Sequence, residues 1–301
     1  MVLLKFGGDA LAIVILDTVL NITIISILAY YSLFKLKVRF SFNKLNLAFV
    51  KKIGRYSFWI FIFAITSQIQ WEIGKVFVGT ELDTSAVAVY AVGIMLGTYY
   101  SGFGAAISSV FLPKATQLVV ADADVKKLTS VMITMGRIIL LVLLFLLGGF
   151  IHLGESFINL WLGEAYQNSW RIALIIMVVF TISLTQAFGH SILEAKNKVY
   201  FKAIINLVLI VPGAFSGILL MEYLGSFGMV LGATIGWLAS IIFLNVYYHK
   251  VINLNMLRFY KELLSKIFIS FMLILLLTCS LRFTPNTTWV WFVLNGFIYS
   301  F

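Results

Sequence analysis

Charge is what this chain has least of. Only 11% of its 301 residues are acidic or basic, against 61% that are apolar. So little polar surface cannot cover a soluble globule, and a mean hydropathy of +1.03 points to a bilayer as the solvent. Cysteine is nearly absent too. The single Cys279 excludes an intrachain disulfide and a thiolate metal cluster, and its apolar run marks it as a packing residue. The three histidines, His152, His190 and His249, fall near the ends of three different apolar segments, so no metal set is expected. There is no nucleophile–base pair, no Walker-type glycine loop and no nucleotide domain. These absences leave no expected cofactor and no expected catalysis. The net charge of +10 lacks the module context of a nucleic-acid binder and reads instead as basic cytoplasmic loops. No cleavable signal peptide is visible.

What the chain has is a series of apolar segments of membrane-spanning length, since a crossing needs about 20 apolar residues. Spans are expected near Ala10–Phe34, Tyr56–Val78, Val87–Phe111, Ile133–His152, Ile172–His190, Ala203–Met221, Phe227–Tyr248 and Ile267–Leu281. A partial ninth starts at Trp289 and stops at Phe301. The expected fold is all-α: a polytopic bundle of about eight complete spans plus a partial ninth.

Charge supplies the orientation. Lys5, Lys75, Arg171 and Arg282 apart, the other 18 of the 22 basic residues fall in or beside alternate connections. The connection 35–55 alone carries seven and no acid, whereas the next, 80–85, holds Glu81 and Asp83 and no base. Such alternation is the positive-inside pattern; it puts residue 1 outside and sends the first helix inward. An external start without a signal peptide makes sense if an odd number of helices precedes it. The chain is therefore expected to be a fragment at both ends.

Several stretches carry a family resemblance in their order and spacing. They are GRYSFWIFIFAITSQIQ opening the second span, VAVYAVGIMLG and SSVFLPKATQL in the third, and FINLWLGEAYQNSW outside. GHSILEAKNKVYFKAIINLVLIVPGAF joins the fifth span to the sixth, and YLGSFGMVLGATIGWLASIIFLNVYYHKVI covers the seventh. Together they resemble the polysaccharide-biosynthesis flippases of O-antigen and teichoic-acid type, within the multidrug, oligosaccharidyl-lipid and polysaccharide exporter superfamily. The resemblance implies two bundles of six helices and two appended ones. On that template residues 1–55 are the last helix of the N-terminal bundle and a cytoplasmic linker. Residues 56–250 are the C-terminal six-helix bundle, and 251–301 are appended helices with the last incomplete. The resemblance also implies a multi-pass protein of the bacterial inner membrane, working by alternating access. Its partners would be membrane lipids, a lipid-linked oligosaccharide of undecaprenyl-pyrophosphate type, and a coupling proton or sodium ion. The alternatives are a drug or cation exporter of the same superfamily and a non-transporting membrane fragment.

Charge inside a bilayer is expensive and points to function. Asp17 in the first span and Glu72 in the second both lie about 10 Å below the outer edge at 1.5 Å per residue. Lys75 follows Glu72 by three and Gln68 precedes it by four, which gives one polar stripe. Asp17, Gln68, Glu72 and Lys75 are the candidate pathway residues. Lys75 would attract phosphate, and Glu72 or Asp17 would carry the coupling ion. Equally, Glu72 and Lys75 can simply neutralise one another. The spacing Gly93-x-x-x-Gly97 predicts close helix packing, and Pro212 permits a kink.

Overall fold

A computed structural model describes residues 10–36, 46–280 and 288–300. Their regular structure is helical, with no strand among the described residues. Cys279 lies in a helix, but its side chain is outside the described ones. The chain divides into two units, Met1–Gly54 and Arg55–Phe301.

In the first unit, α1 (Ala10–Tyr30) runs into a π-helical turn at Tyr31–Lys35. Its hydroxyls fold back onto the helix, Thr23 donating to the Val19 carbonyl at 2.7 Å and Ser26 to Ile22 at 2.8 Å. Satisfied in this way, they add little polarity to an apolar cylinder whose large side chains, such as Ile22 and Ile25, are exposed.

The second unit takes α2 (Leu47–Glu81) from Arg55 onward. It continues through α3 (Thr84–Ser108), α4 (Phe111–Val120), α5 (Val125–Leu162), α6 (Asn168–Thr185) and α7 (Ala187–Ala195). Then come α8 (Val199–Leu224), α9 (Ser226–Lys250), α10 (Met256–Ser280) and α11 (Trp289–Ser300). Asp83 caps α3, its carboxylate accepting from the Ala86 N–H at 2.6 Å.

Among the described residues six helical stretches are long and apolar enough to cross a membrane: Ile15–Lys35, Thr84–Ser108, Val125–Leu162, Glu164–Thr185, Val199–Leu224 and Ser226–Lys250. The expected spans at Tyr56–Val78 and Ile267–Leu281 fall in α2 and α10, which are not among the six; Leu281 itself lies outside the described residues. At 35 residues α2 is long enough, at about 1.5 Å per residue, but Ser67, Gln68, Gln70, Glu72 and Lys75 interrupt its apolar run. Two expected spans also end early. The third stops at Ser108 and the fifth at Thr185, and each is followed by a short helix, α4 and α7. Pro113 is the third residue of α4, where a missing N–H forfeits no intrahelical bond. The two short helices pack on each other through Phe111 and Phe188, with ring centroids 6.0 Å apart.

Small residues set the closest approaches. Gly93 and Gly97 of α3 receive Ile172 and Ile176 of α6, as the spacing predicts. A tighter seam joins α8 and α9, the most extensively packed helix pair. Here Gly213 and Gly217 face Gly232 and Gly236 backbone to backbone; a Cβ on Gly232 would lie 2.2 Å from the Gly217 nitrogen. Without a hydrophobic drive between helices in lipid, such contact supplies the van der Waals attraction that larger residues would block. Gly225 alone turns the chain between these helices at φ 58°, a conformation that a side chain disfavours. Pro212 sits inside α8 without ending it.

Candidate functional site

The four-residue period of α2 gives it two polar faces. Thr66, Gln70, Gly74 and Val78 recur every fourth residue and are buried against the other helices of the unit. Tyr90 of α3 lies across Gly74, where a Cβ would meet its hydroxyl at 2.0 Å. Gln68, Glu72 and Val76 fall on the opposite side and are exposed.

On the exposed face Lys75 Nζ donates to both Glu72 oxygens, at 2.8 and 2.9 Å. The two side chains are 34% and 54% exposed, so the stripe presents a self-neutralised pair rather than a free cation. The expected candidates thus come together only in part. Glu72 and Lys75 are bonded, Gln68 lies one turn away on the same side, and Asp17 belongs to the other unit. Asp17 is exposed on α1 and accepts from Asn21 Nδ2 at 3.1 Å.

The buried face of α2 opens onto a cavity of about 220 Å³. Ser67, Gln70 and Trp71 line it from α2, and Phe180 and Ser183 from α6. Gln186, from the break before α7, and His190 in α7 continue the wall; Lys202 and Asn206 of α8 and Trp237 and Ser240 of α9 close it. Three aromatic rings form one flank: Phe180 meets Trp237 edge-on at 4.6 Å, and Trp71 contacts them at 5.7 and 5.4 Å. Most polar groups are tied into neighbouring helices. Ser240 donates to Asn206 Oδ1 at 2.5 Å, Gln186 Nε2 donates to the Tyr260 hydroxyl at 2.6 Å, and the Tyr248 hydroxyl pairs with His190 Nδ1 at 2.6 Å. Gln70 is the exception. It is 4% exposed, yet its Nε2 has no hydrogen-bond partner. Lys202 Nζ stands 4.6 Å over the Phe63 ring, and among the described residues it forms no ion pair.

A family profile described as "Polysaccharide biosynthesis protein" matches residues 1–171. The chain belongs to that family. With its six membrane-capable helices, this polysaccharide-biosynthesis protein is a multi-pass membrane protein. No curated protein and no solved structure matches it. The family match contains Asp17, Gln68, Glu72 and Lys75, whereas His190, Lys202, Asn206 and Trp237 lie beyond it.

The sequence pattern does not single out Lys202 or Gln70: Lys202 counts among the basic residues of a connection, and Gln70 stands beside the more conspicuous Glu72. The available signal was the spacing of Thr66, Gln70 and Gly74, three small or polar residues one turn apart on one face of α2.

Other polar residues tie the helices together. Arg137 of α5 donates to the Glu262 carbonyl of α10 at 3.0 Å, and Asn245 of α9 to the Tyr260 hydroxyl of α10 at 2.7 Å. The Tyr100 hydroxyl bonds to the Leu143 carbonyl at 2.9 Å and to Thr181 at 2.5 Å, in the core. Among the described residues no group of histidine, cysteine or acidic side chains is disposed to hold a metal.

Proposed function

We propose that this protein moves a lipid-linked oligosaccharide of undecaprenyl-pyrophosphate type across the bacterial inner membrane by alternating access. The observation that carries the reading is α2, a long helix of mixed polarity among apolar ones, in a polysaccharide-biosynthesis protein. An exporter of a hydrophilic headgroup needs one wall that water and sugar can wet while the lipid tails stay in the bilayer. In this reading α2 crosses as the second of eight spans, which preserves the alternation of basic connections along the chain. Residues 1–55 then belong with a second bundle, 56–250 form the six-helix bundle, and 251–301 are appended. Gln68, Glu72 and Lys75 face the headgroup path as a polar wall that water and sugar can wet. Glu72 or Asp17 holds the coupling proton or sodium ion. The match to a polysaccharide-biosynthesis family favours a saccharide cargo over the cationic drugs of the alternative exporter reading.

Deleting the gene in its native host tests this. Lipid-linked oligosaccharide should remain on the cytoplasmic leaflet, and re-expression should restore its exposure to an impermeant glycosidase outside. Outer-leaflet exposure unchanged by the deletion overturns the proposal.

A further inference from the structure

We infer that the cavity on the buried face of α2 is a binding site for a phosphoryl-class anion, built within one unit and separate from the Gln68–Glu72–Lys75 stripe. Three observations converge on it. The cavity holds a cation, Lys202, with no carboxylate paired to it among the described residues. Glu194, the acid whose field reaches Lys202, stays beyond ion-pair distance. The buried Gln70 carries an amide donor with no partner, on a residue that lines the same space. An unsatisfied buried donor is costly, and an anion in the cavity supplies the missing acceptor.

Neighbouring groups favour the same ligand charge. Ser240 occupies Asn206 Oδ1, which leaves the amide nitrogen as that side chain's remaining polar end. His190, its Nδ1 paired with the Tyr248 hydroxyl, also lines the cavity. Size restricts the ligand. At about 220 Å³ the cavity falls below the ~300–1,000 Å³ typical of pockets for drug-sized ligands, so it suits a phosphoryl group with a few waters rather than a sugar chain. That group can be free phosphate or the headgroup of a phospholipid monoester.

Trp71 and Trp237 line the cavity and report on it. The purified protein in phosphatidylcholine nanodiscs is titrated with inorganic phosphate at constant ionic strength, against gluconate, and tryptophan fluorescence is read. A second set of discs contains phosphatidic acid. A saturable response to phosphate that gluconate does not give supports the site with a soluble ligand. A response confined to phosphatidic acid discs supports it with a lipid ligand. In either case Lys202→Gln and Gln70→Leu should each weaken binding roughly tenfold or more, as loss of a hydrogen bond to a charged group does. Lys202→Arg should retain binding, and so should the Glu72→Gln, Lys75→Gln double variant. Gel filtration and helical circular dichroism establish that each variant is folded; should Lys202→Gln fail to fold, Gln70→Leu and Lys202→Arg decide. No response to either ligand overturns the inference, as does a response that Gln70→Leu leaves intact. The test requires no transport, so its result stands apart from the flippase reading.

Discussion

The two faces of α2 handle charge in opposite ways. On the exposed face Lys75 is held by Glu72 at 2.8 Å, three residues away. On the buried face Gln70 has an open donor, and Lys202, its neighbour across the cavity, stands against a ring rather than a carboxylate. The exposed pair needs nothing further to be satisfied. The buried set does, and that difference separates a polar surface that tolerates a passing headgroup from a pocket that retains a ligand.

The difference can be broken at its foundation. Gly232→Leu drives a side chain into the Gly217 backbone and should separate α8 from α9, two walls of the cavity. Overpacking of this kind costs about 3 kcal/mol or more, read as a large fall in Tm, while the Glu72–Lys75 pair on α2 is untouched. Gly74→Ala acts on α2 itself. The new Cβ meets the Tyr90 hydroxyl, at a cost of about 1–3 kcal/mol, and Tyr90→Phe should recover part of it.

Charge removal sharpens the contrast by its sign. Lys202→Met should raise thermal stability by about 1 kcal/mol, because an enclosed, unpaired cation is replaced by an apolar side chain of similar length. Glu72→Gln should lower it, by up to about 1 kcal/mol, the ordinary range for an exposed pair. Matched unfolding curves check both, and equal shifts of the same sign would abolish the distinction drawn here.

The smallest expected effect serves as a control away from both faces. Glu262 at the start of α10 accepts from Arg258 Nε at 2.6 Å, and that bond holds its carboxyl below the usual range. Its folded pKa is depressed, so the stabilisation is present above the ordinary carboxylate pKa and is lost as pH falls through the folded value. Arg258→Gln should flatten this acid-side slope of Tm without altering either face of α2.

Much of the architecture was legible in the sequence. Helices that apolar residues fill all round announce themselves by length alone, and Gly93 and Gly97 meet their partners as their spacing implied. The breaks after Ser108 and Thr185 were not legible. Apolar residues resume within two or three positions of each, and a short polar step such as Ser108-Ser109 or Thr185-Gln186 does not by itself end a helix. Glu72 and Lys75 were visible as a pair because three residues along a helix fixes proximity. The cavity was hidden because its groups come from α2, α6, α7, α8 and α9, which only tertiary packing assembles. The α8–α9 seam lay between: its glycines repeat every fourth residue, yet their facing partners depend on the turn at Gly225.

Everything rests on α2 crossing the bilayer despite its polarity. A Cys279→Ser background leaves the chain without cysteine, so Lys51→Cys and Thr80→Cys, at the two ends of α2, can be labelled with an impermeant maleimide in intact cells. The account predicts that residue 80 labels from outside and residue 51 only after permeabilisation. Labelling of both from the same side would contradict it.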